Sequence, residues 1–260
     1  NFGDQMEYVG YATINGIEVE SQHITQAQNA SQSIVLQFAE TSGGASQDGQ
    51  PCTGAATVTD IDNNTYNTVQ IGNQCWMKEN LRTTQYANGT SIALGSSTST
   101  TTAYCYYPNN DQSNVPIYGY LYNWPAIMNG AESSSTSPSG VQGICPDGWH
   151  VPSYGEWSRL NNTLGGTYGN AGSKLAGRAD LWADGLLTSS GNFGETNFNA
   201  LPAGDPYNEY SFGHYAFFWC TTMYDNEEIY CIWLSTSSPN MTYERFNLSN
   251  PFSLRCVRDN

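Results

Sequence analysis

Alternation of apolar and polar positions is clearest near the two ends of the chain. "YVGYATINGIEVES", residues 8–21, sets Asn15-Gly16 between two alternating runs, the signature of a two-residue type I′ hairpin. "QSIVLQFAE", residues 32–40, predicts a third strand. "TSGGASQDGQP", Thr41 to Pro51, has no periodicity and reads as a linker. "TVTDIDNNTYNTVQIG" predicts another hairpin, turning at Asn63-Asn64, and "QCWMKENL" a short strand after it. Residues 95–103 are polar and predict a flexible loop. "YGYLYNWPAIMNG", Tyr118 to Gly130, starts as a strand, and Trp124-Pro125 opens a short helix. "GWHVP" is a strand ending at Pro152. Ser153 with Glu156 forms a capping box for a helix carrying Trp157, Leu160 and Leu164, which stops at Gly165-Gly166. "AGSKLAGRADLWADG" holds a shorter helical piece. "YAFFWCTTM", "EIYCIWLST" and "FSLRCVRDN" predict three closing β runs. The fold class is therefore α+β, with a small N-terminal β extension over residues 1–45 and a main domain over 52–260.

Composition changes the picture in three ways. Charged residues make up only 12%, while 18 Tyr and 7 Trp accompany many Asn, Ser, Thr and Gly, a profile expected of a secreted β-rich protein. The formal net charge is −15, with 8 Lys and Arg and no basic stripe. That argues against nucleic acid and anionic membrane surfaces as partners. No run of about 18 apolar residues predicts a membrane-spanning helix. The chain opens at Asn1 without a hydrophobic leader, so it is read as a mature or trimmed form whose export signal is inferred. Seven cysteines lie far apart without a C-x-x-C pair, and only three His occur. Disulfides in an oxidising compartment are expected rather than zinc, with at least one thiol left over.

Candidate chemistry is sparse. His150 follows Trp149 and precedes a turn, and is expected to be a satisfied structural histidine. Asp60, Asp62 and Asn64 have D-x-D-x-N spacing. Thr65 and Ile71 stand where a calcium loop needs Gly and Glu, so a hairpin turn is expected. Glu195, Asp205, Glu209 and Glu244 could supply paired carboxylates, but no pair is favoured. No metal site and no cofactor are expected. The loops of the C-terminal third are different. Asp205, Tyr207, Asn208, Tyr210, Tyr224, Asp225, Asn226 and Tyr243 combine phenol rings with short hydrogen-bonding side chains, as in antibody loops. They are the expected ligand-binding residues; Tyr230 could instead turn inward.

"TVTDIDNNTYNTVQIGNQCWMKENLRT", "YGYLYNW", "CPDGWHVPSYGEW", "NFNALPAG", "FFWCTT" and "LRCVRD" follow one another over residues 52–260. In this the chain resembles the Fibrobacter succinogenes major paralogous domain of secreted and surface proteins of Bacteroidetes-type bacteria. The resemblance implies a C-type-lectin-like fold with mixed or antiparallel strands and one or two helices. It implies a disulfide from Cys145 to Cys256, joining first and last strands. Cys220 stands where the family pattern has Ser, and with Cys231 on the next strand it suggests a hairpin staple. Cys52–Cys75 is the third expected pair, leaving Cys105 free. Calcium-dependent lectin motifs are missing; "GDP" at Gly204–Pro206 and "SPN" at Ser238–Asn240 are weak echoes. The expected function is non-enzymatic binding or adhesion, secreted or at the cell surface, toward a glycan or protein surface. A structural envelope or pilus-associated role and a carbohydrate-active enzyme are the alternatives.

Overall fold

A computed structural model describes the backbone of four short strands within residues 5–27, and backbone and side chains of residues 48–259. The chain divides into two compact units, Asn1–Ser46 and Gln47–Asn260. In the first, β1 (Gln5–Tyr8) pairs antiparallel with β4 (Ile24–Ala27), and β2 (Tyr11–Ile14) pairs antiparallel with β3 (Ile17–Glu20). Ile14 stands opposite Ile17, so two positions separate β2 from β3. Asn15, Gly16 and the strand expected over residues 32–40 lie outside the described residues.

The second unit is mixed α+β. β5 (Thr57–Thr59), β6 (Thr65–Ile71) and β7 (Gln74–Met77) are followed by β8 (Ala93–Leu94) and β9 (Tyr104–Tyr106). Helix α1 (Val115–Tyr118), β10 (Leu121–Tyr122), α2 (Trp124–Met128), β11 (Trp149–His150), α3 (Tyr154–Thr163) and α4 (Ala171–Leu175) come next. β12 (Tyr215–Met223), β13 (Glu228–Ser235), β14 (Ser238–Asn247) and β15 (Val257–Arg258) close the chain. One antiparallel sheet has the order β11-β15-β7-β6-β5, and the terminal meander has the order β12-β13-β14. A small mixed sheet, β10-β9-β8, pairs β8 parallel to β9.

Several expected elements differ in extent. The strand expected from Tyr118 is confined to Leu121–Tyr122, because Pro116 lets Val115–Tyr118 form a helical turn first. The turn expected at Asn63-Asn64 is a five-residue loop, with Thr59 opposite Thr65 and Asn63 at φ 63°. Asp60 sets that loop: its carboxylate accepts from the Asn64 backbone (2.9 Å) and the Tyr66 hydroxyl (2.5 Å).

The capping box forms as the sequence predicts. Ser153 Oγ accepts from the Glu156 N–H, and Glu156 Oε2 accepts from the Ser153 N–H at 2.9 Å. Helix α3 then lays Trp157 against Trp76 (ring centroids 4.5 Å apart) and Phe218 (5.5 Å). Trp219 points to the other face of β12, where Phe252 packs on it and on Phe217. The run "AFFWC" is therefore apolar throughout because both faces of β12 are covered.

Two disulfides form, Cys145–Cys256 and Cys52–Cys75. Cys105 is free. The expected Cys220–Cys231 bond is absent, and both residues are buried thiols. The register supplies the reason. Cys231 stands opposite Trp219, so those two side chains share a face and Cys220, one residue on, takes the other. Cys220 Sγ donates to the Tyr230 carbonyl instead (3.0 Å).

Candidate ligand-binding surfaces

The eight expected ligand-binding residues do not form one face. Asp205, Tyr207, Asn208 and Tyr210 share a loop attached at the start of β12, where the Gly204 N–H donates to the Tyr215 carbonyl. Gly204 has φ +65°, and a Cβ there would meet the Phe212 nitrogen at 2.6 Å, so the loop needs glycine at its entry. Asp205 and Asn208 hold the loop rather than project from it. Asp205 Oδ1 accepts from the Tyr207 N–H (2.9 Å), and Asn208 Oδ1 from the Tyr210 N–H (3.2 Å). Burial raises the Asp205 pKa, against hydrogen bonds from Tyr207 and Asn250 that lower it.

This geometry pushes two phenols outward. Tyr207 is 51% exposed and Tyr210 79%. The Tyr207 ring stands edge-on to Tyr106 of β9, centroids 6.1 Å apart, and Tyr106 in turn meets Tyr104 at 6.2 Å. Tyr106 is buried and its hydroxyl donates to the Ser97 carbonyl. Gly95 makes room for it, since a Cβ there would collide with the ring at 2.3 Å. Asn110 clamps the loop by donating to the Pro206 carbonyl (2.8 Å). Tyr104, Tyr106, Asn110 and Asn250 thus belong to this surface. Nothing local in the sequence singles them out, because they arrive from distant segments.

Tyr224, Asp225 and Asn226 sit beyond the other end of β12. Tyr224 is 51% exposed, stands edge-on to Tyr230 (5.6 Å) and carries the Arg245 guanidinium 4.3 Å over its ring. Asp225 Oδ1 accepts from the Glu227 and Glu228 N–H groups, both at 2.9 Å, so it too is a turn former. Tyr243 is in β14 rather than a loop. It is half-buried, its ring lies 4.8 Å from Tyr154, and its hydroxyl donates to the Trp157 carbonyl. Tyr154 also meets Tyr230 at 4.8 Å, so Tyr243, Tyr154, Tyr230 and Tyr224 form a continuous row ending at Arg245. Tyr154, Tyr230 and Arg245 complete this second surface.

The other candidate groups are absorbed by the framework. Asp62 accepts from the Thr84 N–H (2.6 Å) and the Thr83 hydroxyl (3.1 Å), closing its loop. His150 is buried, with Nε2 2.6 Å from Glu156 and Nδ1 2.6 Å from Asp259. Burial works against the charged imidazole, and the Glu156 and Asp259 carboxylates outweigh it, raising its pKa. A cleft of about 190 Å³ beside it is lined by Asn73, Ser137 and Arg159. Among the described residues, no three His, Cys, Asp or Glu side chains converge in a way that could hold a metal ion.

What these features define is a disulfide-braced α+β scaffold displaying two tyrosine-rich surfaces. The model of the Fibrobacter succinogenes major domain matches residues 69–258, and the chain belongs to that family. No curated protein and no solved structure matches it.

Proposed function

We propose that this chain is a secreted or cell-surface, non-enzymatic binding protein that recognises a neutral glycan, on a C-type-lectin-like scaffold. The observation that carries the reading is the Tyr207 ring, half-exposed yet held in place. Tyr106 supports its edge, while Asp205 and Asn110 fix the backbone of its loop. An aromatic face that is already ordered gives contact area to a sugar ring at low entropic cost. Exposed Glu209 and Asn109 offer hydrogen-bonding groups for hydroxyls. The net charge of −15 disfavours polyanionic glycans. The two disulfides support an oxidising, extracellular setting. A non-catalytic role is supported by His150, Glu156 and Asp62, whose polar atoms are engaged in framework contacts.

A glycan array with the purified chain tests this. Binding to neutral glycans is expected, and Tyr207→Ala with Tyr210→Ala is expected to weaken it at least roughly tenfold, about 1.4 kcal/mol. Asn63→Ala, in the distant β5–β6 loop, is expected to leave it unchanged. Loss of binding on the Asn63 change but not on the tyrosine changes would overturn the assignment.

A further inference from the structure

The two tyrosine surfaces leave the terminal meander in different directions. Residues paired across antiparallel strands share a face. Phe218, Ile232 and Tyr243 stand in register on one face, and Tyr230 with Arg245 belongs to the same side. Helix α3 covers that face through Trp157 and Tyr154, and the Tyr224 row emerges at its edge. The opposite face carries Phe217 and Trp219 and is covered by Phe252. Phe252 is bridged to Tyr122 of β10, which pairs with β9, whose Tyr106 supports Tyr207. The surfaces also lie at opposite ends. The Tyr207 loop attaches at Tyr215, paired with Ser235, whereas Tyr224 follows Met223, paired with Ile229. The six residue steps from Ile229 to Ser235 span about 20 Å.

From this we propose that the second unit is bivalent, with two saccharide sites through which one monomer bridges two strands of a neutral polysaccharide. The proposal rests on the glycan-binding reading above and goes further in assigning the Tyr224 surface a ligand strand of its own. That surface repeats the chemistry of the first: a half-exposed tyrosine held by one neighbouring ring, beside an exposed Asn226 and a turn built by an Asp carboxylate. Its ring is additionally fixed by Arg245. Asp225, Glu227 and Glu228 follow it in the same turn and oppose a polyanion, so the second strand is also a neutral one. Because the sites look away from opposite faces, separate strands can occupy them together.

The test uses the full chain with soluble xyloglucan, arabinoxylan and galactomannan, and polygalacturonate as the anionic control. Binding is measured calorimetrically, bridging by turbidity and by clustering of polysaccharide-coated beads, and mass in solution by sedimentation. A monomer that binds and clusters a neutral polysaccharide at substoichiometric amounts is expected. Tyr207→Ala/Tyr210→Ala and, separately, Tyr224→Ala/Asn226→Ala are each expected to weaken binding about tenfold or more without eliminating it, while abolishing clustering. Combining them should abolish both. The inference is overturned if the wild type binds without clustering, if either paired variant alone eliminates binding, or if clustering survives in both paired variants. Failure to bind any of the neutral polysaccharides overturns the glycan reading itself.

Discussion

His150 shows how one buried side chain can join two ends of a fold. Its ring lies between Glu156, at the start of α3, and Asp259, just after β15. Those carboxylates raise its pKa above the ordinary 6.5 despite burial. The contribution to stability is therefore complete below about pH 6.5 and is lost as pH rises through the raised folded value. His150→Gln is expected to lower the melting temperature strongly at pH 6 and less at pH 9. A difference that grows with pH instead would refute the assignment. The thiols make a second residue-scale case. Burial pushes Cys105 up to about 11 and Cys220 up to about 12, and Cys231 is raised as well. All three are expected to resist alkylation in the native protein and to react once it is denatured. Non-reducing peptide mapping that finds Cys220 joined to Cys231 would contradict the register. Arg255 is fully buried, and burial lowers its pKa to about 9 against the Glu79 carboxylate, which raises it. It donates to the side chain of Asn80 and to the carbonyls of Met77, Phe198 and Asn199. It also lies over the Phe198 ring.

At the scale of elements, α3 matters most, because its entry serves three purposes. Ser153 caps it, Glu156 completes the box and holds His150, and Trp157 fills the core. Ser153→Ala is expected to cost about 1 kcal/mol, the usual loss for a cap. Glu156→Gln should cost more, about 3 kcal/mol, because the buried imidazole loses the buried one of its two carboxylate partners. Urea unfolding of both variants checks the order, and equal costs would mean that Glu156 acts only as a capping group. The start of this element was legible in the sequence, since Ser-x-x-Glu before a spaced Trp and Leu is a local pattern. The shortness of β15 was not. "FSLRCVRDN" looks like one strand, but Phe252 and Ser253 bridge to Tyr122 and Phe218 while only Val257–Arg258 joins the main sheet. A run of apolar residues says that a segment is buried, not which strand it meets.

For the whole molecule, the Cys145–Cys256 bond is the largest single constraint. It closes a loop with a sequence separation of 111, fastening the segment before β11 to the residue before β15. Cys145→Ser with Cys256→Ser is expected to cost about 4–5 kcal/mol in the chain-entropy picture. Denaturant unfolding of the double variant against the wild type measures it. A loss below about 1 kcal/mol would show that β11–β15 pairing and the aromatic core hold these segments unaided. Reduction should then also leave the tyrosine surfaces in place, since neither touches that bond.

The sequence by itself determined what depends on near neighbours: the Asn15-Gly16 hairpin signal, the Ser153–Glu156 cap, the apolar run of β12, and loops rich in Tyr, Asn and Asp. Its family motifs carried the Cys145–Cys256 pairing. Only the tertiary structure decided where those loops point. Two tyrosine loops separated by one strand look like a single face in the sequence, yet β12 carries one to each end and packing covers opposite faces between them. The same register separates Cys220 from Cys231. Side-chain direction in a sheet reverses at every residue, so a bulge between Trp219 and Met223 and the choice of covering layer cannot be read from composition or spacing. They are set by which distant rings fill the core, and that is settled only when the whole chain has packed.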